Sequence, residues 1–276
     1  MGAESVLSPF FASDGENLAV QDWPQYAGLR LRGVVLLVHG LGEHAGRYEG
    51  LASRLNAWGF AVRGYDQYGH GESGGLPSDA RLLDDLADIV DSTRARMPTI
   101  TPLILLGHSL GGLVAARFVS LARRPVQALV LSSPALDPGL SALQKLLLAV
   151  LPKIAPNLRV GNGLDASLIS HDPAVVAAYL ADPLVHDRIS GRLARFMADA
   201  GPATVALAPK WQVPTLLLYA GADKLVNPAG SRAFVAQAPP AVVTARCFDD
   251  MHHEIFNERQ PEPVFAALRQ WLDARF

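Results

Sequence analysis

The sequence is poor in features that assign a protein to a class at once. It has one cysteine, Cys247, so an intrachain disulfide is impossible and a reducing compartment is the simpler expectation. Its 24 basic and 26 acidic residues give no bias toward nucleic acid or an anionic membrane. No apolar run approaches the roughly 18 residues of a spanning helix. The N-terminus has no basic, apolar leader, so we expect a soluble, cytoplasmic protein.

Charge and metal-ligating side chains are also sparse. Charged residues make up 18% of the chain and hydrophobic residues 50%, which predicts a large core and excludes a disordered chain. The eight histidines are scattered without metal-ligand spacing. We therefore expect neither a metal nor an organic cofactor.

Short apolar runs alternate with helical patterns along most of the chain. This alternation predicts an α/β fold with a mostly parallel central sheet flanked by helices. The turn at Asp14 and Gly15 predicts a hairpin at one sheet edge. We expect strands at 34–38, 61–65, 103–106, 128–132, 215–219 and 242–248, and helices at 48–58, 80–96, 112–121, 231–238 and 263–274.

The alternation is interrupted between residues 137 and 209. About 70 residues then separate two predicted strands, far more than an ordinary connection. We expect residues 1–136 and 210–276 to form the core, and residues 137–209 to form an inserted helical cap, or lid. Such a cap would cover the carboxyl edge of the sheet, where open α/β sheets bind ligands.

The segment GHSLGG at residues 107–112 follows an apolar run and precedes a helical pattern. A G-x-S-x-G motif between strand and helix forms a strained turn that exposes its central serine, here Ser109. The neighbouring His108 is expected to pack locally and to point away from the site. The motif in this context predicts that Ser109 is a nucleophile.

A serine nucleophile needs a base, and the base needs an acid that orients it. Asp223 follows the predicted strand at 215–219, and His253 follows the last predicted strand. Both therefore reach the carboxyl edge of the sheet. Asp249 and Asp250 are rival acids, and His252 is a rival base that these arguments barely separate from His253.

Two backbone amides are candidates for stabilising the oxyanion. One is Leu110, the residue after the nucleophile, and the other is Leu41, which lies between two glycines in the loop after the first parallel strand. Near this loop, Glu43, His44 and Arg47 either form a network that holds it or line a solvated helix start. The turn at residues 66–73 is expected to make structural hydrogen bonds.

Taken together, these motifs resemble a branch of the α/β-hydrolase superfamily that contains monoacylglycerol lipases, lysophospholipases and serine aminopeptidase-like enzymes. The matching segments are HGLGEHAGRY at 39–48, DQYGHGES at 66–73, GHSLGG at 107–112, GAD at 221–223 and HEIFNE at 253–258. Tyr68 departs from the pattern, since many relatives carry arginine there. The resemblance covers nearly the whole chain.

The resemblance implies an α/β-hydrolase fold, with Ser109 as nucleophile, Asp223 as acid and His253 as base. It also implies oxyanion amides at Leu41 and Leu110. The expected activity is hydrolysis of monoacylglycerols or similar small aliphatic esters through an acyl-enzyme. A lysophospholipase, a thioesterase or an amidase would use the same triad. A non-catalytic ligand-binding scaffold is the alternative from another class.

The predicted cap contains leucines at helical spacing. Leu147 and Leu151 belong to a stripe that can dock on the core, whereas Leu148 lies outside it. We take these three leucines as candidate substrate-binding residues, with transient contact between the cap and a membrane surface as a further expectation. A singly exposed Leu148 is the alternative. His186 is expected to shape the cap. The sequence gives no oligomeric state.

Overall fold

The computed structural model describes residues 5–75, 79–137, 139 and 158–276. Its main element is an eight-stranded sheet with the strand order β1-β2-β4-β3-β5-β6-β9-β10. The strands are β1 Val6–Phe11, β2 Asn17–Trp23, β3 Gly33–Val38, β4 Phe60–Tyr65, β5 Leu103–His108, β6 Ala128–Ser132, β9 Thr215–Ala220 and β10 Val243–Phe248.

The sheet is parallel from β4 to β10 and antiparallel at one edge. There β1 pairs with β2, and β2 pairs with β4, both antiparallel. The hairpin between β1 and β2 turns at Gly15, whose φ of +89° favours glycine. The predicted edge hairpin and the predicted mostly parallel sheet are both confirmed.

Helices cover both faces of the sheet because its central strands are apolar on both sides. On one face, α1 (Glu49–Ala57) and α7 (Glu262–Asp273) pack on alternate residues of β3, β5 and β6. On the other face lie α2 (Asp79–Ala95), α3 (Ser109–Ser120), α5 (Gly191–Val205) and α6 (Pro228–Gln237). The result is a three-layer α/β/α sandwich with one apolar core on each face of the sheet.

Residues 158–190 lie outside this sandwich in the chain order, between β6 and α5, and are called the covering segment below. It contains a two-stranded antiparallel ribbon of β7 (Arg159–Gly161) and β8 (Arg188–Ser190), and α4 (Pro173–Ala181). By contrast, α5 belongs to the core through Leu193 and Ala200. Short 3₁₀ helices span Ala45–Tyr48, Ala166–Leu168, Ala208–Lys210 and Ile255–Asn257.

Within the described ranges, no helix has both the length and the apolar character needed to cross a membrane. The predicted division into a core and a cap at residues 137–209 stays a prediction.

Candidate active site

The residues predicted to carry the chemistry lie after the carboxyl ends of four parallel strands. Leu41 follows β3, Ser109 follows β5, Asp223 follows β9, and His253 follows β10. Parallel strands end at the same edge of a sheet, so the topology gathers these four residues there.

Ser109 occupies a strained turn between β5 and α3. Its φ is +54°, in the left-handed region that L residues other than glycine rarely adopt. The turn is tight: a Cβ on Gly107 would lie 2.4 Å from the carbonyl oxygen of Gly111, and one on Gly111 would lie 2.1 Å from that of Val38. Glycine is therefore required at both positions. The helix begins at Ser109, three residues before the predicted start.

Asp223 and His253 form a buried hydrogen-bonded pair. His253 Nδ1 lies 2.7 Å from Asp223 Oδ2, and the backbone amides of Leu225 and Val226 donate to Asp223 Oδ1 at 2.9 and 3.0 Å. Burial alone would raise the pKa of Asp223, but these hydrogen bonds outweigh it and lower the pKa. An ionised Asp223 fixes the His253 proton on Nδ1, which leaves Nε2 free to accept a proton.

The loop after β3 lies directly against the serine. A Cβ on Gly40 would come within 3.2 Å of the Ser109 Cβ, which places the neighbouring Leu41 beside the serine turn. Leu110 is the second residue of α3, where backbone amides have no acceptor within the helix. The structure thus brings the segments carrying the two predicted oxyanion amides together around Ser109.

The Glu43 carboxylate fixes this loop through hydrogen bonds and an ion pair. Its Oε1 accepts hydrogen bonds from the Gly40 amide at 2.5 Å and the Tyr48 hydroxyl at 2.7 Å, and Oε2 pairs with Arg47. Glu43 is only 3% exposed. Burial raises its pKa, but Arg47 and nearby histidines more than offset this, so the net pKa is lowered. Of the two interpretations left open by the sequence, the network is correct for Glu43 and Arg47, whereas His44 pairs with Asp182 of the covering segment at 2.9 Å.

Glu254, next to His253, completes the network. Its carboxylate receives a bidentate bond from Arg47, at 2.8 and 2.9 Å. On the opposite side, the Arg47 guanidinium lies 4.6 Å from the centre of the Tyr179 ring in the covering segment. Arg47 therefore connects the loop after β3, the loop that carries His253 and the covering segment.

The prediction that His108 points away from the site is wrong. Its ring centre lies 4.7 Å from that of His253, and its Nδ1 lies 3.1 Å from Ser132 Oγ. Burial, with a contribution from the nearby His253, lowers the pKa of His108 to about 4. A neutral imidazole therefore packs beside His253. Strand alternation could not show this, because the chain leaves the strand conformation at the next residue.

The turn at residues 66–73 is structural, as predicted. Asp66 accepts hydrogen bonds from the amides of Ala45 and Glu72 at 2.8 and 2.9 Å. Ser73 Oγ donates to the Asp66 carbonyl oxygen at 2.5 Å and accepts from the Ala19 amide at 2.8 Å. These bonds tie the turn to β2 and to the start of the 3₁₀ helix after the Glu43 loop.

A cavity of about 950 Å³ opens at Ser109 and His253. Its surface is mostly apolar, and the covering segment supplies much of the wall, including Ile169, Leu180 and Val185. This size and lining suit a small-molecule ligand with an apolar portion. The candidate substrate residues Leu147, Leu148 and Leu151 lie outside the described residues.

The covering segment is attached to the loop after β3 by main-chain contacts. The His186 amide donates to the Gly42 carbonyl oxygen at 2.8 Å, and a Cβ on Gly42 would lie 2.2 Å from the His186 carbonyl oxygen. Gly42 has a φ of +76°. His186 thus contacts the loop after β3 through its backbone, and its expected role in shaping the cap stays a prediction.

The rival base and the two rival acids take no part in the Asp223–His253 pair. His252 stacks on His171 with 3.6 Å between ring centres, whereas Asp249 and Asp250 lie in the exposed turn after β10. Glu254 and Glu258 belong to the HEIFNE motif, but the sequence arguments give neither of them a role. Their partners, Arg47 and His171, lie 207 and 87 positions away in the chain, so no sequence spacing could reveal these contacts.

Among the residues that the structure describes, His171, His252 and Glu258 have ligand atoms within 4.8 Å of one another. Their geometry does not favour a metal. The two imidazole planes are inclined by only 26°, so their in-plane lone pairs run side by side rather than toward one point. Glu258 Oε1 also accepts hydrogen bonds already.

The doubly covered parallel sheet, with a strained serine turn after β5 and a buried Asp–His pair at the same edge, defines an α/β-hydrolase of the serine hydrolase class. Comparison with known proteins gives the family. A family profile described as Serine aminopeptidase, S33, matches residues 30–260. The chain belongs to this family, and the predicted resemblance is confirmed.

Two curated relatives match over most of their length. The chain is 36% identical over 248 residues to a monoacylglycerol lipase of Mycolicibacterium smegmatis, covering 87% of this chain and 88% of that one. It is 32% identical over 245 residues to the phospholipase YtpA of Bacillus subtilis, covering 87% and 95%. The crystal structure of a Paleococcus ferrophilus monoacylglycerol lipase superposes with a TM-score of 0.82 at 35% identity, covering 99% of both chains.

Proposed function

We propose that this serine hydrolase cleaves monoacylglycerols through an acyl-enzyme, with Ser109 as nucleophile, His253 as base and Asp223 as acid. The observation that carries the proposal is the 2.7 Å contact between His253 Nδ1 and Asp223 Oδ2 at the wall of the cavity that also exposes Ser109. The relatives named as monoacylglycerol lipases support the substrate class.

In the first half-reaction, His253 Nε2 takes the proton of Ser109 as the hydroxyl oxygen attacks the ester carbonyl. Asp223 stabilises the imidazolium that results, because its carboxylate stays ionised. The carbonyl oxygen becomes an oxyanion, which the amides of Leu41 and Leu110 stabilise. Each such donor contributes roughly 3–4 kcal/mol to the transition state. The tetrahedral intermediate collapses when the imidazolium protonates the departing glycerol oxygen.

In the second half-reaction, water replaces the alcohol. His253 removes a proton from the water as it attacks the acyl-Ser109 carbonyl, and the same two amides receive the oxyanion. Collapse of this intermediate breaks the bond to Ser109, returns the proton to the serine oxygen and releases a fatty acid. No step requires a metal or an organic cofactor.

The mostly apolar cavity supports a substrate with an acyl chain, and Glu43, His253 and Glu254 are among the residues that line it. We assign residues 137–209 to a cap that sets chain-length preference. Its described parts are mainly the covering segment and α5, which both line the cavity, and α5 also packs on the core. Transient contact of this cap with a membrane surface and a cytoplasmic location remain predictions of the same proposal.

A phospholipid is the second candidate substrate, because the Bacillus subtilis relative is named a phospholipase. Both substrates carry a carboxylic ester on glycerol and would use the same chemistry. They differ in the phosphate headgroup, which only the phospholipid carries. A lysophospholipid therefore belongs in the first substrate panel.

The test is hydrolysis of 1-monoacylglycerols from acetyl to palmitoyl, alongside lysophosphatidylcholine and p-nitrophenyl esters, by wild type and Ser109→Ala. Ser120→Ala is the matched control, since Ser120 ends the same helix and bonds only to the Arg117 carbonyl oxygen in the described structure. We expect Ser109→Ala to lose ester cleavage and Ser120→Ala to keep it. Activity that survives in Ser109→Ala would refute the proposal. Ser109-dependent cleavage of thioesters or amides alone would refute the substrate class.

A further inference from the structure

The loop that carries His253 is fixed by a carboxylate that the reaction does not use. We propose that Glu258 is a positioning residue for His253, acting through the backbone of His252 and through a hydrogen-bonded seam to Ile169, Ser170 and His171. The inference rests on the proposed function, in which His253 is the base.

Glu258 holds the residue directly before the base. Its Oε1 accepts the His252 amide at 2.7 Å, and its Oε2 accepts the Arg259 amide at 3.3 Å. The side chain is 5% exposed. Burial by itself would raise the pKa of Glu258, but its hydrogen bonds outweigh that effect and lower the pKa. The carboxylate is therefore ionised at neutral pH and accepts strongly.

The same carboxylate reaches across to the covering segment. His171 donates to it twice: Nδ1 lies 2.9 Å from Oε1, and the backbone amide lies 3.3 Å from Oε2. Two more bonds run alongside. The Glu254 amide donates to the Ile169 carbonyl oxygen at 2.8 Å, and Ser170 Oγ donates to the Asn257 carbonyl oxygen at 2.8 Å. These four bonds form the seam.

The position of His253 depends on these hydrogen bonds because the loop that carries it has no helix or strand to hold it in place. Between the end of β10 at Phe248 and the 3₁₀ helix at Ile255, the backbone has no regular structure. The hydrogen bond to Asp223 orients the His253 ring through one atom, Nδ1, and does not fix the position of the loop backbone. The hydrogen bond from the His252 amide to Glu258 fixes the position of this backbone. It thereby sets where His253 Nε2 lies relative to Ser109.

The size of the effect follows from how steeply proton transfer depends on geometry. A displacement of about 1 Å in a catalytic group costs on the order of 100-fold in rate. Alanine at position 258 removes the carboxylate and so all four hydrogen bonds that it accepts: those from the His252, Arg259 and His171 amides and from His171 Nδ1. Glutamine keeps an acceptor oxygen of the same reach, so it restores the bond to the His252 amide but without the charge.

The experiment compares Glu258→Ala, Glu258→Gln and wild type on a 1-monoacylglycerol, with kcat counted per active site titrated by a fluorophosphonate. The control is Glu262→Ala, because Glu262 is 67% exposed and meets only Arg54, at 3.5 Å, among the described residues. We expect Glu258→Ala to lower kcat roughly 10- to 100-fold with KM changed less than about threefold. We expect Glu258→Gln to recover kcat to within about fivefold of wild type.

A purely structural role for Glu258 gives a different pattern. It would lower the melting temperature of Glu258→Ala while the titrated sites keep the wild-type kcat, and that result would overturn the inference. If Glu258→Ala does not fold, His171→Ala supplies the test, because the His171 side chain is 43% exposed. Its kcat should fall about 3- to 10-fold, and an unchanged kcat would also overturn the inference.

The proposed function fails separately. If Ser109→Ala keeps full activity, the assignment of the catalytic residues is wrong whatever the Glu258 variants do. If Ser109→Ala is inactive and Glu258→Ala has the wild-type kcat, the catalytic assignment stands and only the role of Glu258 is refuted.

Discussion

Replacing Glu43 by glutamine should damage the enzyme more in catalysis than in stability. The carboxylate accepts from the Gly40 amide, the Tyr48 hydroxyl and Arg47 while only 3% exposed. Glutamine has one acceptor oxygen, and its NH₂ group must then face a donor. Either the Gly40 amide or the Arg47 guanidinium therefore loses its partner.

The cost can be worked from these contacts. Removing one partner of a fully buried ion pair costs about 3–5 kcal/mol when the other charge is left alone. Arg47 is not left alone, since it keeps both bonds to Glu254 at 2.8 and 2.9 Å. The loss is then close to one hydrogen bond to a charged group, about 2–3 kcal/mol. For a chain of this length, that corresponds to a drop in melting temperature of about 4–10 °C.

The catalytic cost comes from the neighbouring amide. If the Gly40 peptide rotates, the Leu41 amide leaves the oxyanion, and losing one such donor lowers kcat by about 100- to 1,000-fold. The assay is kcat per titrated site together with urea unfolding followed by circular dichroism. Glu262→Gln serves as the exposed control, with a change in unfolding free energy below about 0.5 kcal/mol.

The same residue predicts a pH dependence. The folded pKa of Glu43 lies below its ordinary 4.5, so the unfolded chain binds the proton more readily. Its contribution to stability is complete above that value and is lost as the pH falls toward the folded pKa. Urea unfolding between pH 5 and 3 should show a shallower loss of stability in Glu43→Gln than in wild type. An unchanged kcat, or identical acid profiles, would refute the role given to Glu43.

Three further predictions concern the serine turn, helix α1 and the acid. Gly111→Ala should fold poorly or not at all, because its Cβ would lie 2.1 Å from the Val38 carbonyl oxygen; soluble expression and melting temperature check this. Gly50→Ala, in α1 with nothing within 4 Å, should instead gain about 0.5–1 kcal/mol in urea unfolding. Asp223→Asn should lower kcat by about 10⁴-fold without loss of fold, because the amide favours the wrong tautomer of His253. A decrease in kcat of less than about tenfold would argue against the role of Asp223 as the acid.

The sequence could predict most of the fold because clear turn signals mark the ends of its strands. The buried strands are short, continuous and apolar, and each is bounded by polar or glycine-rich turns, so β3, β5, β6 and β9 lie within about two residues of their predicted ends. The helical pattern predicts that α3 begins at Gly112, whereas the helix begins at Ser109. A helix that begins with a left-handed residue breaks the pattern on which the prediction depended.

The site was predictable in its strand ends and much less so in its loops. Strand order places Asp223 and His253 at one edge but leaves His252 open as the base. The resemblance favours His253, and the loop conformation pairs it with Asp223 while His252 stacks on His171. The links from Arg47 to Glu254 and from His171 to Glu258 join residues more than 80 positions apart in the chain. No local pattern encodes such a distance, so both links require the folded structure.

The attachment of the covering segment at Gly42 and Ile169 has a consequence for how this enzyme could diversify. Both bonds there join main-chain atoms: the His186 amide to the Gly42 carbonyl oxygen, and the Glu254 amide to the Ile169 carbonyl oxygen. Any amino acid other than proline can supply such an amide. Side chains that face the cavity, such as Leu180 and Val185, can therefore be exchanged by mutation while the segment keeps these anchor points. A selection library confined to those positions would explore new substrates on an unchanged catalytic scaffold.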